Sequence, residues 1–557
     1  MGAAVTTEEP FFDFLPRPQV PLQGSAGQTA ATQALASAAY RDSPVEDILK
    51  ANGEWHESVV TKGKLSLFEP NLGEAFSRAV QNRMLGATRK GIIQSFGTEP
   101  GTIVEHCLAS IRIRKERDTK LTLVMGVFGV LFLPGMLLWL AVFQLRRTLA
   151  GAKDRRAGAL GTVLMVAVAG LAVLFLLKLP FHGILALYLR AMLVAPVIGW
   201  YWAKVICERT ARDLRSRWDS LLGGGGIGAK IPEAVPKSSA AGSAEQLRQS
   251  LVKLAAEDQS NVVFYAGPKG ILGMGTRWGS WQLAEELEPK EAGKEIHGFR
   301  SWDVIRAIQD RLQLLERGPL HTGGFPTPSI KNWVVSPIGE GAKEVSRPSG
   351  QDIDNFQVRQ HEIQRICNEQ QFSSGNRHYL GIQFTLWDGQ LVITMMVTVT
   401  VLHETLRIEV TGHALGPVHS LFTTKPSPKT REVDKTFKFW EKKTIQLPLV
   451  DATEVVRLAA RAPLTWYPPL LDHLGGRIAL PEPFGLRHAW ADKPWRHRFM
   501  ADDAMRAATP VLRVVHSAAM KVLDEHGVNT DRFTNRSMIL SGLVQDPAPR
   551  KADLYDA

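Results

Sequence analysis

Cysteine is scarce in this chain, and the signatures of common enzymes are missing. The three cysteines, Cys107, Cys207 and Cys367, lie far apart and form no CxxC pair. An odd number cannot pair fully within one chain, which excludes a disulfide framework and suits a reducing compartment. There is no HExxH or Cys/His ligand spacing for zinc and no GxSxG for a serine nucleophile. Met1 to Pro10 carries Glu8 and Glu9 but no Lys or Arg, so the basic start of a cleavable signal peptide is not expected. No internal repeat is visible.

Charge is also missing from one long stretch. Leu121 to Leu145 reads LTLVMGVFGVLFLPGMLLWLAVFQL without an ionisable side chain. A helix needs about 20 apolar residues to cross a hydrocarbon core about 30 Å thick. A second run covers Gly158 to Leu177, and a third covers Gly183 to Ile206, ending near Trp200, Tyr201 and Trp202. Such aromatic rings favour headgroup level. Only Lys178 to His182 separates the last two runs, which predicts an antiparallel helical hairpin.

Lys and Arg together number 66 against 55 Asp and Glu, and much of the excess flanks these runs. That favours anionic lipid headgroups as partner over nucleic acid, which is not expected. One cluster (Arg112, Arg114, Lys115, Arg117, Lys120) precedes the first run and a second (Arg146, Arg147, Lys153, Arg155, Arg156) follows it. A third (Lys204, Arg209, Arg212, Arg215, Arg217) follows the third run. All three favour the cytoplasmic side, which three full crossings cannot satisfy. Pro134 and Gly135 sit mid-way in the first run, where proline removes a backbone donor and glycine loosens the helix. Broken there, the run could enter and leave on one face, leaving the C-terminal half in the cytoplasm. The alternative is a kinked but complete span. Arg190, inside the third run, is expected to snorkel to the interface, with an ion or substrate path as the other reading.

At 557 residues two or more structural units are expected. Residues 1–43 read as a disordered tail. Residues 44–120 read as a small juxtamembrane helical region, with Leu72, Phe76, Val80 and Met84 at helical spacing. The membrane region is 121–206, with 121–145 re-entrant or spanning and 158–178 and 183–206 spanning. Residues 207–242 read as a basic helix and a flexible linker. A soluble domain follows over 243–545, then a tail over 546–557. Within that domain NVVFYA (Asn261–Ala266) reads as a strand. His297–Arg317 reads as an amphipathic helix, with Trp302, Ile305, Ile308, Leu312 and Leu315 on one stripe. Tyr379–Gly412 reads as three strands joined by turns at Asp388-Gly389 and His403-Glu404. Asp451–Ala460 and Thr509–His526 read as later helices. The expected fold class is a membrane protein with α-helical transmembrane segments and a C-terminal α+β domain built on an antiparallel meander.

Glycines at 267, 270, 273, 275 and 279 follow the strand NVVFYA, a place where backbone N–H groups can cradle phosphate. Neither GxxxxGK[ST] nor GxGxxG occurs in that stretch, so an ordinary loop is the expectation, and Gly270, Gly273 and Gly275 are the candidate cofactor-binding positions. His403, His413 and His419 are close in sequence but lack ligand spacing. No metal, cofactor or catalytic residue is assigned. The membrane candidates are Pro134, Gly135, Arg190, Trp200 and Trp202.

Three stretches carry a resemblance: NVVFYAGPKGILGMGTRW from Asn261, HYLGIQF from His378 and LDEHGVNTDRF from Leu523. With them the chain resembles a family of uncharacterised actinobacterial integral membrane proteins with a C-terminal α+β domain. The resemblance implies the layout and no activity. The expected function is a plasma-membrane-anchored interaction or scaffold protein, whose soluble domain binds a protein partner or membrane-associated complex and which could homo-oligomerise. The alternatives are an enzyme using the glycine loop with Lys269, Arg277 or His297, and a small channel or transporter subunit.

Overall fold

The structure, a computed structural model, describes residues 28–51, 59–86, 91–151, 163, 166–168, 170–172, 174, 183–223, 231–235, 242–267, 270–315, 325–338, 357–369, 375–434, 442–481 and 483–535. The helices used below are α1 (Ala30–Ser37), α2 (Leu72–Leu85), α3 (Pro100–Val124), α4 (Leu133–Gly151), α5 (Ile184–Leu222), α6 (Gly242–Asp258), α7 (Ser301–Gln313), α8 (Ala452–Arg461) and α9 (Arg498–Glu525). The strands of the main sheet are β1 (Val262–Tyr265), β2 (Thr276–Glu286), β3 (Ser329–Pro337), β4 (Arg377–Leu386), β5 (Leu391–Leu402) and β6 (Thr405–Leu415).

The meander β4–β5–β6 is the centre of the C-terminal half. Its second turn is a two-residue hairpin, His403 and Glu404, both at positive φ (45° and 60°), between the paired Leu402 and Thr405. That twist matches the twist of the flanking strands. Alternation along β6 puts Leu406, Ile408 and Val410 inward, each fully buried; burying such a side chain contributes roughly 1.5–3 kcal/mol. The spatial order is β1-β3-β4-β5-β6-β2, antiparallel except for the parallel pair β1 and β3. One face is covered by α7, through Ile305, Ile308 and Leu312, and by α9, through Val511, Leu512, Val515 and Ala519. Trp333, Val335 and Met396 line the other face, against Phe96 from the N-terminal half.

Two strands, β2 and β3, were not evident from sequence. The alternation of β2 is interrupted by a bulge between Arg277 and Gly279, and its partner is β6, more than a hundred residues away. The late helix α9 begins at Arg498 instead of Thr509. Pro510 lies inside the helix, costing the donor that would reach the Arg506 carbonyl on an exposed side.

The N-terminal half does not stand apart. α1, α2, α3 and the polar end of α5 share a core with residues 418–490, in which Tyr40, Phe76, Trp218, Phe422, Phe484 and Trp490 meet. Phe76 and Trp490 lie 4.9 Å apart between ring centroids, and the Trp218 indole donates to the Thr424 carbonyl at 3.1 Å. In α2, Leu72, Phe76, Val80 and Met84 are all buried, as their spacing predicts.

Part of the expected N-terminal tail is ordered helix. In α1 Ala31, Ala34, Leu35 and Ala36 are buried together with Thr32, Gln33 and Ser37, so the helix is enclosed almost all round and leaves no amphipathic stripe to read. Asp388, in the β4–β5 turn, accepts from the Ala30 amide at 2.9 Å, placing a carboxylate at the positive end of α1. Residues 1–27 lie outside the described residues. The expected basic helix after the third run is the second half of α5, continuous with the apolar first half. In the expected linker, Val235 is buried and the Ala234 amide donates to Glu105 at 3.3 Å; residues 224–230 and 236–241 lie outside the described residues.

Candidate membrane-insertion site

The first apolar run is one element broken by a sharp turn. α3 carries the run to Val124, residues Met125–Val130 form a wider π-helical turn, and the chain breaks at Leu131 and Phe132 before α4. The two arms are bent by 102°. Pro134 lies in the first turn of α4, where its missing N–H costs little. Gly135 lies so close to α5 that a Cβ there would overlap the Met192 carbonyl oxygen. The broken backbone is served by α5: the Tyr188 hydroxyl donates to the Leu131 carbonyl at 3.1 Å, and the Tyr188 ring stacks on Phe132 at 5.7 Å. From α4, the Trp139 indole donates to the Leu193 carbonyl at 3.0 Å. A further close crossing is at Gly199, where a Cβ would lie 2.5 Å from that of Phe128. Small residues at helix crossings of this kind let backbones approach closely.

Among the described residues, α5 is the one helix long and apolar enough to cross a membrane by itself. Among the described residues, more than half of the large exposed hydrophobic side chains fall between Leu123 and Trp202, including Leu123 at 70% and Leu187 at 69%. Arg190 is exposed, about two turns from the start of α5. Trp200 and Trp202 are exposed beside Lys204 and Phe128 respectively, the Lys204 ammonium 5.7 Å from the Trp200 ring. The second apolar run, 158–178, lies largely outside the described residues.

Between the bent arms, α5 and α8 is an apolar cavity of about 320 Å³. Its walls include Phe128, Met136, Trp139, Trp200, Val456 and Ala460, and among the described residues no titratable side chain lines it.

Just beyond the apolar layer is a buried charge cluster. Arg461, at the end of α8, donates two hydrogen bonds of 2.7 Å to the Glu74 carboxylate. Arg114 and Arg117 stand in the last polar turns of α3, and Arg117 pairs with Asp118 at 2.7 Å. Burial alone would raise the Glu74 carboxyl; the Arg461 charge and hydrogen bonds, with Arg117 and Arg114, override it and hold it well below the usual carboxylate range. Burial lowers Arg114 to about 10, partly opposed by Glu74. The cluster clamps α2, α3 and α8 together. Glu74 and Arg461 are hundreds of residues apart, and no sequence signal pairs them.

The glycine loop is folded on itself. The Ala266 amide donates to Gly270, the Gly270 amide to Gly267 and the Leu272 amide to Phe264. Gly270, Gly273 and Gly275 have φ of 64°, 89° and 81°. A Cβ at Gly273 would meet Ile93, and one at Gly275 the Ala414 carbonyl. Lys269 lies outside the described residues, Arg277 lies in β2, and His297 is exposed. His403, in the turn before β6, and His413, near the far end of β6, are roughly 30 Å apart by strand rise, and the His419 ring accepts from the Leu421 amide at 3.1 Å. Among the described residues no group of three or more His, Cys, Asp or Glu could hold a metal. All three cysteines are buried and free.

Residues 280–546 match the family model described as AbeC-like domain. The match begins within β2 and runs past α9, so it takes in the meander and two of the three stretches that carry the resemblance, but not the glycine loop. No curated protein and no solved structure matches the chain.

Proposed function

We propose that the chain is a membrane-anchored interaction or scaffold protein of the plasma membrane. Its α3–α4 bend inserts from the cytoplasmic side, α5 crosses the bilayer, and the C-terminal α+β half remains in the cytoplasm to bind a protein partner or membrane-associated complex.

One observation carries this reading: α3 and α5 each run without interruption from the exposed apolar layer into the core shared by both halves of the protein. The C-terminal half is thus held against the layer by two continuous helices. An arm of ten residues, Leu121–Val130, is about 15 Å long, and at the observed bend the tip reaches roughly 12 Å deep, within a single leaflet. Tyr188 and Trp139 satisfy carbonyls at this depth, as an irregular backbone away from water requires. Among the described residues the cavity is lined by no acid, base or nucleophile, which favours an anchoring role for this region over catalysis.

The test is purification of the tagged full-length protein from membranes in mild detergent after an alkaline wash. The protein should stay in the pellet and return a partner in fixed ratio. Release by the wash, or clean recovery with no specific partner, would contradict the reading.

A further inference from the structure

A second apolar surface stands beside the insertion site. Residues Ala462–Gly475 follow α8 directly, and no charged side chain occurs between Arg461 and Asp472. Trp466 and Tyr467 are each 62% exposed, Leu470 is 39% exposed, and Pro463, Pro468 and Pro469 are exposed with them. The short turn Ser66–Phe68 packs against this segment, the Leu65 amide donating to the Leu474 carbonyl at 3.1 Å, and it adds exposed Leu65 and Leu67. An exposed Trp-Tyr pair with leucines at its edge is costly in water.

The level of this surface is fixed by its attachment. Ala462 belongs to one cluster with Leu121 and Val124, the first apolar turns of α3, and with Ala203 and Cys207, where the apolar half of α5 ends. Trp466 is one short helical turn further on. The surface therefore sits where α3 and α5 meet the apolar layer, the height at which aromatic rings with a polar edge are most favourable in a bilayer. Trp200 and Trp202 of α5 stand within two turns of that same cluster.

We infer that Leu65, Leu67, Trp466, Tyr467 and Leu470 form a second membrane contact, lying in the headgroup–acyl boundary beside the α3–α4 bend. It rests on the anchoring proposed above. Two separated contacts, the inserted helices and this interfacial wedge, would fix the tilt of the cytoplasmic half against the bilayer, which a single bundle of helices does not.

The experiment is site-directed fluorescence quenching with the full-length protein in phosphatidylcholine vesicles. Single cysteines are added at Trp466, Leu67, Leu187 and Phe499 and labelled with a small environment-sensitive fluorophore. The buried native thiols, with Cys107 and Cys367 pushed up to about 12 by burial, serve as the unlabelled background, checked with the parent protein. Quenching is compared for vesicles with nitroxide near the headgroup and nitroxide deep in the acyl chain.

Labels at 466 and 67 should be quenched about twofold by the shallow nitroxide and less by the deep one, as an interfacial position requires. The label at exposed Phe499, on the sheet domain, should be unquenched. Quenching at 187 with none at 466 and 67 would overturn this inference and leave the anchor standing. No quenching at 187 would instead defeat the anchor. If Trp466→Cys does not fold, Tyr467→Cys and Leu470→Cys report on the same surface.

Discussion

At the scale of single residues, the chemistry of the buried charged groups is decided by what surrounds them. Glu74 is the clearest case. Buried without partners it would be neutral, whereas beside Arg461, Arg117 and Arg114 it is ionised. Removing one member of a buried pair leaves an uncompensated charge, and Glu74→Gln should therefore destabilise the protein by about 3–5 kcal/mol at neutral pH, read as thermal unfolding in detergent. The pH dependence follows from the sign of the shift. A carboxyl held lower in the folded than in the unfolded protein stabilises fully above its unfolded pKa, near 4.5. That contribution is lost as pH falls below it. The gap between Glu74→Gln and the parent should narrow on acidification below about pH 4.5, and a constant gap would mean that the pair contributes nothing beyond packing.

At the scale of elements, the hydrophobic periodicities that sequence reveals are those of amphipathic pieces. α7 exposes one face, and its stripe of Trp302, Ile305, Ile308 and Leu312 could be read directly. The meander could be read from its two turns and the alternation of Leu406, Ile408 and Val410. What escaped was buried on all sides or paired at long range: α1 is enclosed nearly all round, and β2 carries a bulge and finds β6 far along the chain. The site was legible as composition and not as contacts. Pro134 and Gly135 marked the bend, although the break falls at Leu131 and Phe132; nothing in the sequence pointed to Tyr188 as the donor that closes it. Gly135 gives an element-scale prediction. A side chain there must displace the Met192 backbone, so Gly135→Leu should cost about 1–3 kcal/mol of stability by overpacking the α4–α5 crossing. Gly126→Leu, where a Cβ meets nothing within 4 Å, should change stability little. Equal losses at both positions would show that helix propensity or aggregation dominates, and not this crossing.

At the scale of the whole molecule, the proposed insertion would put the three basic clusters on one side of the membrane. The 102° bend turns α4 back relative to α3, and the basic half of α5 lies in the same core that holds α3. The most direct measurement is the sidedness of both arms. Single cysteines at Glu116, before the bend, and at Lys153, after it, are exposed to an impermeant thiol reagent in intact cells and again after disruption, with Phe181→Cys as the outward control. The account predicts that 116 and 153 are labelled only in broken cells while 181 is labelled in intact ones. Labelling of 153 in intact cells with 116 protected would contradict it, because the first apolar run would then cross the membrane completely.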